Sequence, residues 1–288
     1  MTFKPQVKHL EMTDAERIRL SYSLSKARYF DRALQELEVV VTREPSSVYA
    51  HLSIGNIYCL QRRYEEAFRE YKILTQLNPL MSEAYLNLGQ VCLRLACLEE
   101  ALGYFDITLN LDPKLPQAYL SRGQVLMRQT KYDEAINHFY HGLNLNSEML
   151  LAYLLLGEVY RKQKQFSQAM AALKTVLDAQ PKFMVAYIRL GRLYLDIKEP
   201  LQAKNSFEYA LSLNPFSIYA YLGLADALIQ LNQLEASQNI IEKLSKFNKN
   251  DFNSTHSSIS GEPFDETGNL EQIWYTEALT KQKYVEYF

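Results

Sequence analysis

Gly55, Gly89, Gly123, Gly157 and Gly191 stand 34 residues apart without a slip, and a fixed period of this length restricts a chain to an array of small stacked units. The surroundings of each glycine recur with it. An aromatic residue or His comes four before it (His51, Tyr85, Tyr119, Tyr153, Tyr187) and Ala twelve after it (Ala67, Ala101, Ala135, Ala169, Ala203). A large apolar or aromatic residue follows at sixteen, and Pro commonly closes the unit (Pro45, Pro79, Pro113, Pro181, Pro215). Tyr85, Leu88 and Cys92, spaced by three and four, form one stripe on a predicted helix, and Ala101 and Phe105 answer from the next. The glycines are expected to let the two helices approach, because a Cβ there would push the neighbouring helix away.

Extended outward, the frame gives seven units over residues 14–249. The first has Ser21 in place of Gly but keeps Ala33 and Pro45, and the last has Ala225, Ser237 and Lys249 in place of Gly, Ala and Pro. Such decay suits terminal units, which face water on one side. Inside the array, Ser147 replaces a Pro and Pro200 falls at the start of a second helix, where a missing N–H costs little. The unbroken period argues for a single array from 14 to 249 after an N-terminal extension, 1–13. Residues 250–268, rich in Ser, Thr, Asn, Asp and Gly, read as a flexible linker. Residues 269–288 read as an amphipathic helix with Leu270, Ile273, Trp274, Ala278 and Val285 near one face. Trp274, the one tryptophan of the chain, is the candidate for docking this tail on the array or on a partner.

The repeated unit resembles the tetratricopeptide repeat, a pair of antiparallel helices about 34 residues long with an aromatic, Leu-Gly, Ala, Phe and Pro at set places. The resemblance implies an all-α, right-handed superhelical solenoid of antiparallel helix pairs. It also implies a protein-binding scaffold or assembly factor without a catalytic centre, holding a peptide segment or helix of a partner in a concave groove.

Composition closes off other classes. A net charge of −2 and a pI near 6.3 leave no basic field for nucleic acid. The longest apolar stretch, Met149 to Leu156, is too short to span a bilayer and belongs to a repeat, so direct membrane insertion is not expected. Lys4 and Lys8 are followed by no apolar core, so no secretory signal is read, and an intracellular, soluble protein is expected, cytoplasmic or inside an organelle. Cys59, Cys92 and Cys97 form no CxxC and suggest neither disulfides nor zinc. No cofactor or metal is assigned. Glu134, His138 and His141 share a helical face at ligand spacing, but Ala135 and Phe139 hold the packing face, which leaves the histidines on the solvated side. His51 fills an aromatic packing slot and is read as a core residue. Residues 250–288 are too few to build an active site alone.

The candidate binding surface lies on the first helices. Three residues before each glycine or its equivalent stand Ile18, Leu52, Leu86, Leu120, Leu154, Ile188 and Leu222, and the resemblance implies that this position faces the groove. Asn56, Gln90, Gln124, Glu158 and Arg192 directly follow the glycines, with Asn87 two before Gly89; side chains of this kind can grip the backbone of an extended peptide. Arg94, Arg128 and Lys162 form a basic column suited to solvation or to an acidic partner. Co-chaperones of the family hold a terminal carboxylate with Lys and Asn, then Asn, then Lys and Arg. Here Asn56 and Asn87 match, whereas Leu52, Gln117 and Ser121 replace the cations, so that clamp is broken. A chaperone adaptor with a non-standard clamp and a regulatory subunit of a multiprotein complex stand as the rival readings.

Overall fold

The computed structural model describes residues 12–245, and the N-terminal extension and the tail with Trp274 lie outside them. Among the described residues there are fourteen helices and no strand. The chain divides between Lys114 and Leu115 into two compact units. The first holds α1 (Asp14–Lys26), α2 (Phe30–Arg43), α3 (Val48–Leu60), α4 (Tyr64–Leu77), α5 (Ser82–Arg94) and α6 (Leu98–Leu111). The second holds α7 (Pro116–Arg128), α8 (Tyr132–Leu145), α9 (Leu150–Lys162), α10 (Phe166–Ala179), α11 (Met184–Asp196), α12 (Pro200–Leu213), α13 (Ile218–Gln230) and α14 (Leu234–Ser245). Within each unit consecutive helices pack as pairs, and the second helix of one pair packs on the first of the next. Each unit is thus a helical solenoid of repeated helix pairs.

The glycines earn their place through one contact. A Cβ on Gly55 would come within 2.5 Å of the Tyr71 ring, and one on Gly89 or Gly123 within 2.4 Å of Phe105 or Phe139. The obstruction is therefore the ring sixteen residues later in the same hairpin. Tyr71, Phe105, Phe139 and Phe207 are all completely buried and have nowhere to retreat. Ala33, Ala67, Ala101, Ala135, Ala169 and Ala203 are equally buried and supply the flat surface beside them. Where the ring is missing the constraint relaxes. Ser21 faces a unit whose sixteenth residue is Leu37, and its hydroxyl donates to the Ile18 carbonyl at 2.7 Å. Gly157 faces Leu173 at 3.1 Å. In the last pair, which has Ala225 at the repeat position, Gly223 meets Phe207 of α12 instead.

Both turns of the repeat are closed by local hydrogen bonds. After each first helix one residue adopts positive φ, near 60°: Arg28, Arg62, Ala96, Thr130, Lys164, Lys198 and Asn232. Each sits in a Schellman arrangement; in the first, Tyr29 N–H donates to the Leu24 carbonyl and Arg28 N–H to that of Ser25, and in the fifth, Gln165 N–H donates to Tyr160 and Lys164 N–H to Arg161. Glycine is the usual occupant of such a position, and the chain supplies none. Between pairs, Oδ1 of Asn78, Asp112, Asn146 and Asn214 accepts the N–H two residues on, at 3.0–3.2 Å. Asn146 keeps this turn although Ser147 stands where the other units have Pro. Side chains from the first helices add to it: His51 Nε2 donates to the Pro45 carbonyl at 3.0 Å and the Tyr187 hydroxyl to that of Pro181 at 3.1 Å. His51, only 5% exposed and 2.7 Å from Glu70 through Nδ1, is a core histidine as the sequence indicates.

The glycines should differ in their tolerance. Alanine gains about 1 kcal/mol of helix propensity over glycine, while overpacking a filled core costs about 1–3 kcal/mol. Gly89→Ala should lower the midpoint of chemical denaturation, whereas Gly157→Ala should leave it unchanged or raise it. At the first-helix turns the left-handed conformation costs a non-glycine residue about 1–2 kcal/mol, so Lys164→Gly should raise thermal stability, an outcome measurable by calorimetry.

Candidate partner-binding surface

The candidate residues come from the first helices, and the two units are described in turn. In the first, α3 carries Leu52 and Asn56, and α5 carries Leu86, Asn87, Gln90 and Arg94. Leu52, Asn56, Gln90 and Arg94 are partly exposed. The Asn56 Oδ1 accepts a hydrogen bond from the Tyr71 hydroxyl at 2.7 Å, which ties this surface amide to the ring beneath Gly55. Leu86 and Asn87 are each only 8% exposed. Their expected role as groove contacts is corrected to one of interior packing.

In the second unit, α7 carries Leu120, Gln124 and Arg128, α9 carries Leu154, Glu158 and Lys162, and α11 carries Ile188 and Arg192. Gln124, Arg128 and Arg192 are partly exposed and Lys162 is exposed. Leu120, Leu154 and Ile188 are buried, so the aliphatic column serves mainly to pack the array. The reason is geometric. Neighbouring first helices touch one another, α9 with α7 and α11, and α11 with α13, and a leucine one step from the hairpin stripe is covered by the adjacent pair. At the ends of the described array Ile18 and Leu222 keep partial exposure.

Glu158 also departs from its expected role as a peptide grip. It is buried and receives Arg161 at 2.8 Å and Arg189 at 3.3 Å, while Arg161 also pairs with Asp196 on α11. Burial disfavours the Glu158 carboxylate, but the Arg161 charge and hydrogen bond, with Arg189 and Arg192, overcome it and hold its pKa at about 2. Burial likewise opposes the Arg161 charge, and Glu158 and Asp196 outweigh it, so its pKa lies above the ordinary arginine value. Arg192 goes the other way. Burial lowers its pKa to about 9, helped by repulsion from Arg161 and Arg189 and resisted by Glu158 and Asp226. Arg161, Arg189 and Asp196 are not evident from the repeat frame as site residues. No signal in the frame singles out Arg189: at 34-residue steps its column reads Arg19, Ser53, Asn87, Ser121, Leu155, Arg189 and Gly223, with a cation at both Arg19 and Arg189.

His138 is partly buried rather than simply solvated. Its ring and that of His141 stack on Tyr119 with centroids 6.1 Å and 5.5 Å away, an aromatic cluster between α7 and α8. Among the described residues no three His, Cys, Asp or Glu side chains come together to hold a metal, and no helix is long and apolar enough to cross a membrane.

The Glu158 carboxyl, depressed in the folded state, contributes stability that is fully present above its unfolded pKa near 4.3 and is lost as pH falls towards 2. Glu158→Gln leaves two buried guanidiniums without their shared carboxylate. It should cost about 3–5 kcal/mol at pH 7 and flatten the acid limb of the stability profile between pH 4.5 and 2, as read by urea titrations across that range.

Comparison with known proteins follows the same residues. Two tetratricopeptide-repeat family models match, one over residues 18–74 and 61–117 and the other over 126–194 and 194–254. No curated protein matches the sequence. Similar solved structures include the APC/C hetero-tetramer Cut9–Hcn1, 21% identical with a TM-score of 0.69, covering 77% of this chain and 43% of that one. This chain thus spans less than half of that relative's length. The type IV pilus biogenesis factor PilW is 17% identical with a TM-score of 0.67, covering 74% of this chain and 99% of that one. A tetratricopeptide repeat protein from Parabacteroides merdae is 17% identical with a TM-score of 0.68, covering 84% and 96%. At these identities the likeness is one of fold. With fourteen helices in pairs and the 34-residue frame matched on both sides of the unit boundary, the chain belongs to the tetratricopeptide-repeat family and carries about seven repeats.

Proposed function

We propose that the protein is a non-enzymatic interaction scaffold, a subunit or assembly factor of a multiprotein complex, that grips an extended segment or helix of a protein partner on its first-helix surface. The observation that carries this reading is the repeated polar column: Asn56, Gln90, Gln124 and Arg192 keep solvent access directly after buried glycines, with Arg94, Arg128 and Lys162 beside it. Within each unit successive helix pairs offer such side chains at the same repeat position, which suits main-chain hydrogen bonding to an extended segment. Family membership supports a scaffold over a catalyst, and so does the use of this fold in an APC/C hetero-tetramer and in a pilus biogenesis factor. A chaperone adaptor of the terminal-carboxylate type is disfavoured, since Ser121 is buried at one of the positions where that clamp needs a cation.

The test uses side chains that do not hold the core. Arg128→Glu with Lys162→Glu should reduce recovery of the captured partner at least tenfold and remove the salt dependence of its association, with the helical circular dichroism unchanged. Equal recovery by the folded double variant would rule out this surface of the second unit.

A further inference from the structure

The last hairpin is closed on one side only. Phe207, the ring position of α12, is enclosed from two directions, lying against Gly191 of its own first helix and against Gly223 of the next. In α14 the same position is Ile241, which has α13 on one side and, among the described residues, no following helix on the other. Exposure records the difference. Leu37, Tyr71, Phe105, Phe139, Leu173 and Phe207 are at most 1% exposed, whereas Ile241 is half-buried. Three residues on, Val40, Leu74, Thr108, Val176 and Ala210 are fully enclosed, whereas Leu244 is half-buried. Seven residues before the ring position, Leu234 is 44% exposed where Phe30, Tyr64, Leu98, Tyr132 and Phe166 are partly buried. Leu234, Ile241 and Leu244, spaced by seven and three, share one face of the helix, the counterpart of the face that α12 gives to α13.

We propose that residues 269–288 of the same chain dock on this face of α14, where the first helix of an eighth unit would stand. The sequence carries the register. First helices of the array place an aromatic residue or His four before a small one, as His51 before Gly55 and Tyr221 before Ala225, and in the tail Trp274 stands four before Ala278. In that register Ile273 falls at the position of Ala220, which is fully buried in α13. Volumes match as well. Ile241 is smaller than the rings at its position in α4, α6, α8 and α12, and the tail offers the larger Trp and Ile in return. Beyond Ala278 the likeness ends, since Lys281 stands where α13 has Leu228, so the contact belongs to the first turns of the tail. The stretch between Ser245 and Asn269, read as a linker, spans roughly 25 Å on average, enough to fold back over a helix of 12 residues. Tethering also makes the encounter intramolecular, which favours this occupant over any segment that arrives from solution.

Trp274 is the one tryptophan of the chain, so its emission reads the contact directly. In the full chain that emission should be blue-shifted and should not change across a dilution series. Leu234→Glu with Leu244→Glu should move it to the water-like wavelength, while Leu201→Glu on α12, a leucine 57% exposed, should leave it where it is. Trp274→Ser alters no residue of α14 and gives a second reading by hydrogen exchange: the amides of α14 should exchange roughly tenfold faster than in the wild type, those of α3 and α4 at the same rate. Trp274→Phe should restore most of the protection. Water-like emission in the wild type, or exchange in α14 that ignores Trp274, would overturn the docking. A blue shift that fades on dilution would assign the tail to a second copy, and one that responds to Arg128→Glu and Lys162→Glu but not to Leu234→Glu would assign it to the first-helix surface. Either result removes α14 as its seat.

Discussion

A bare helix face pressed against a ring sixteen residues later is the contact on which this architecture depends. With Gly89 against Phe105, and Gly55 and Gly123 against Tyr71 and Phe139, the interhelical distance of each hairpin is set by a side chain meeting a backbone. Neither side can yield, because the ring is fully enclosed and the glycine has no atom to withdraw. The small residue four positions before each ring, Ala67, Ala101 or Ala135, keeps the adjacent turn equally close. Stacking of pairs follows from this spacing. Once every hairpin has the same width, the second helix of one pair presents a uniform surface to the first helix of the next.

Much of this was legible in the sequence because the repeat converts a tertiary contact into a spacing. Gly89 and Phe105 are sixteen residues apart in every unit that has a ring, and thus the hairpin, its core and the weakened ends could all be read. The partner surface was less legible. Leu86, Leu120 and Leu154 look like an exposed second stripe when one helix is considered alone, and they become interior only when the adjacent pair is in place. Periodicity within a helix cannot show which faces a neighbouring hairpin will cover. Glu158 is hidden for a related reason: a polar residue after glycine looks like its equivalents Asn56 and Gln90 until Arg161 and Arg189 enclose it. The left-handed turns carried no sequence mark, since glycine never occupies Arg28, Arg62 or their equivalents.

The second unit thus holds an interior that is not uniformly apolar. Where the preceding pair has Leu155 and Gly157 enclosed among aliphatics, the next brings Arg189 to a carboxylate. A well-packed apolar replacement of such a cluster is commonly at least as stable, while loss of a single member is severe. The cluster therefore ties α9 to α11 through charge as well as packing.

The turns have a consequence for how the chain is made. Every Schellman closure joins residues at most five apart, and every Asx closure joins residues two apart. The bend that reverses a first helix into its second is thus encoded wholly in its own neighbourhood. During synthesis each hairpin holds all the information for its reversal as soon as its second helix emerges, and it then needs only the surface of the hairpin already made. Assembly can proceed in the direction of translation, with each completed pair serving as the template on which the following one condenses.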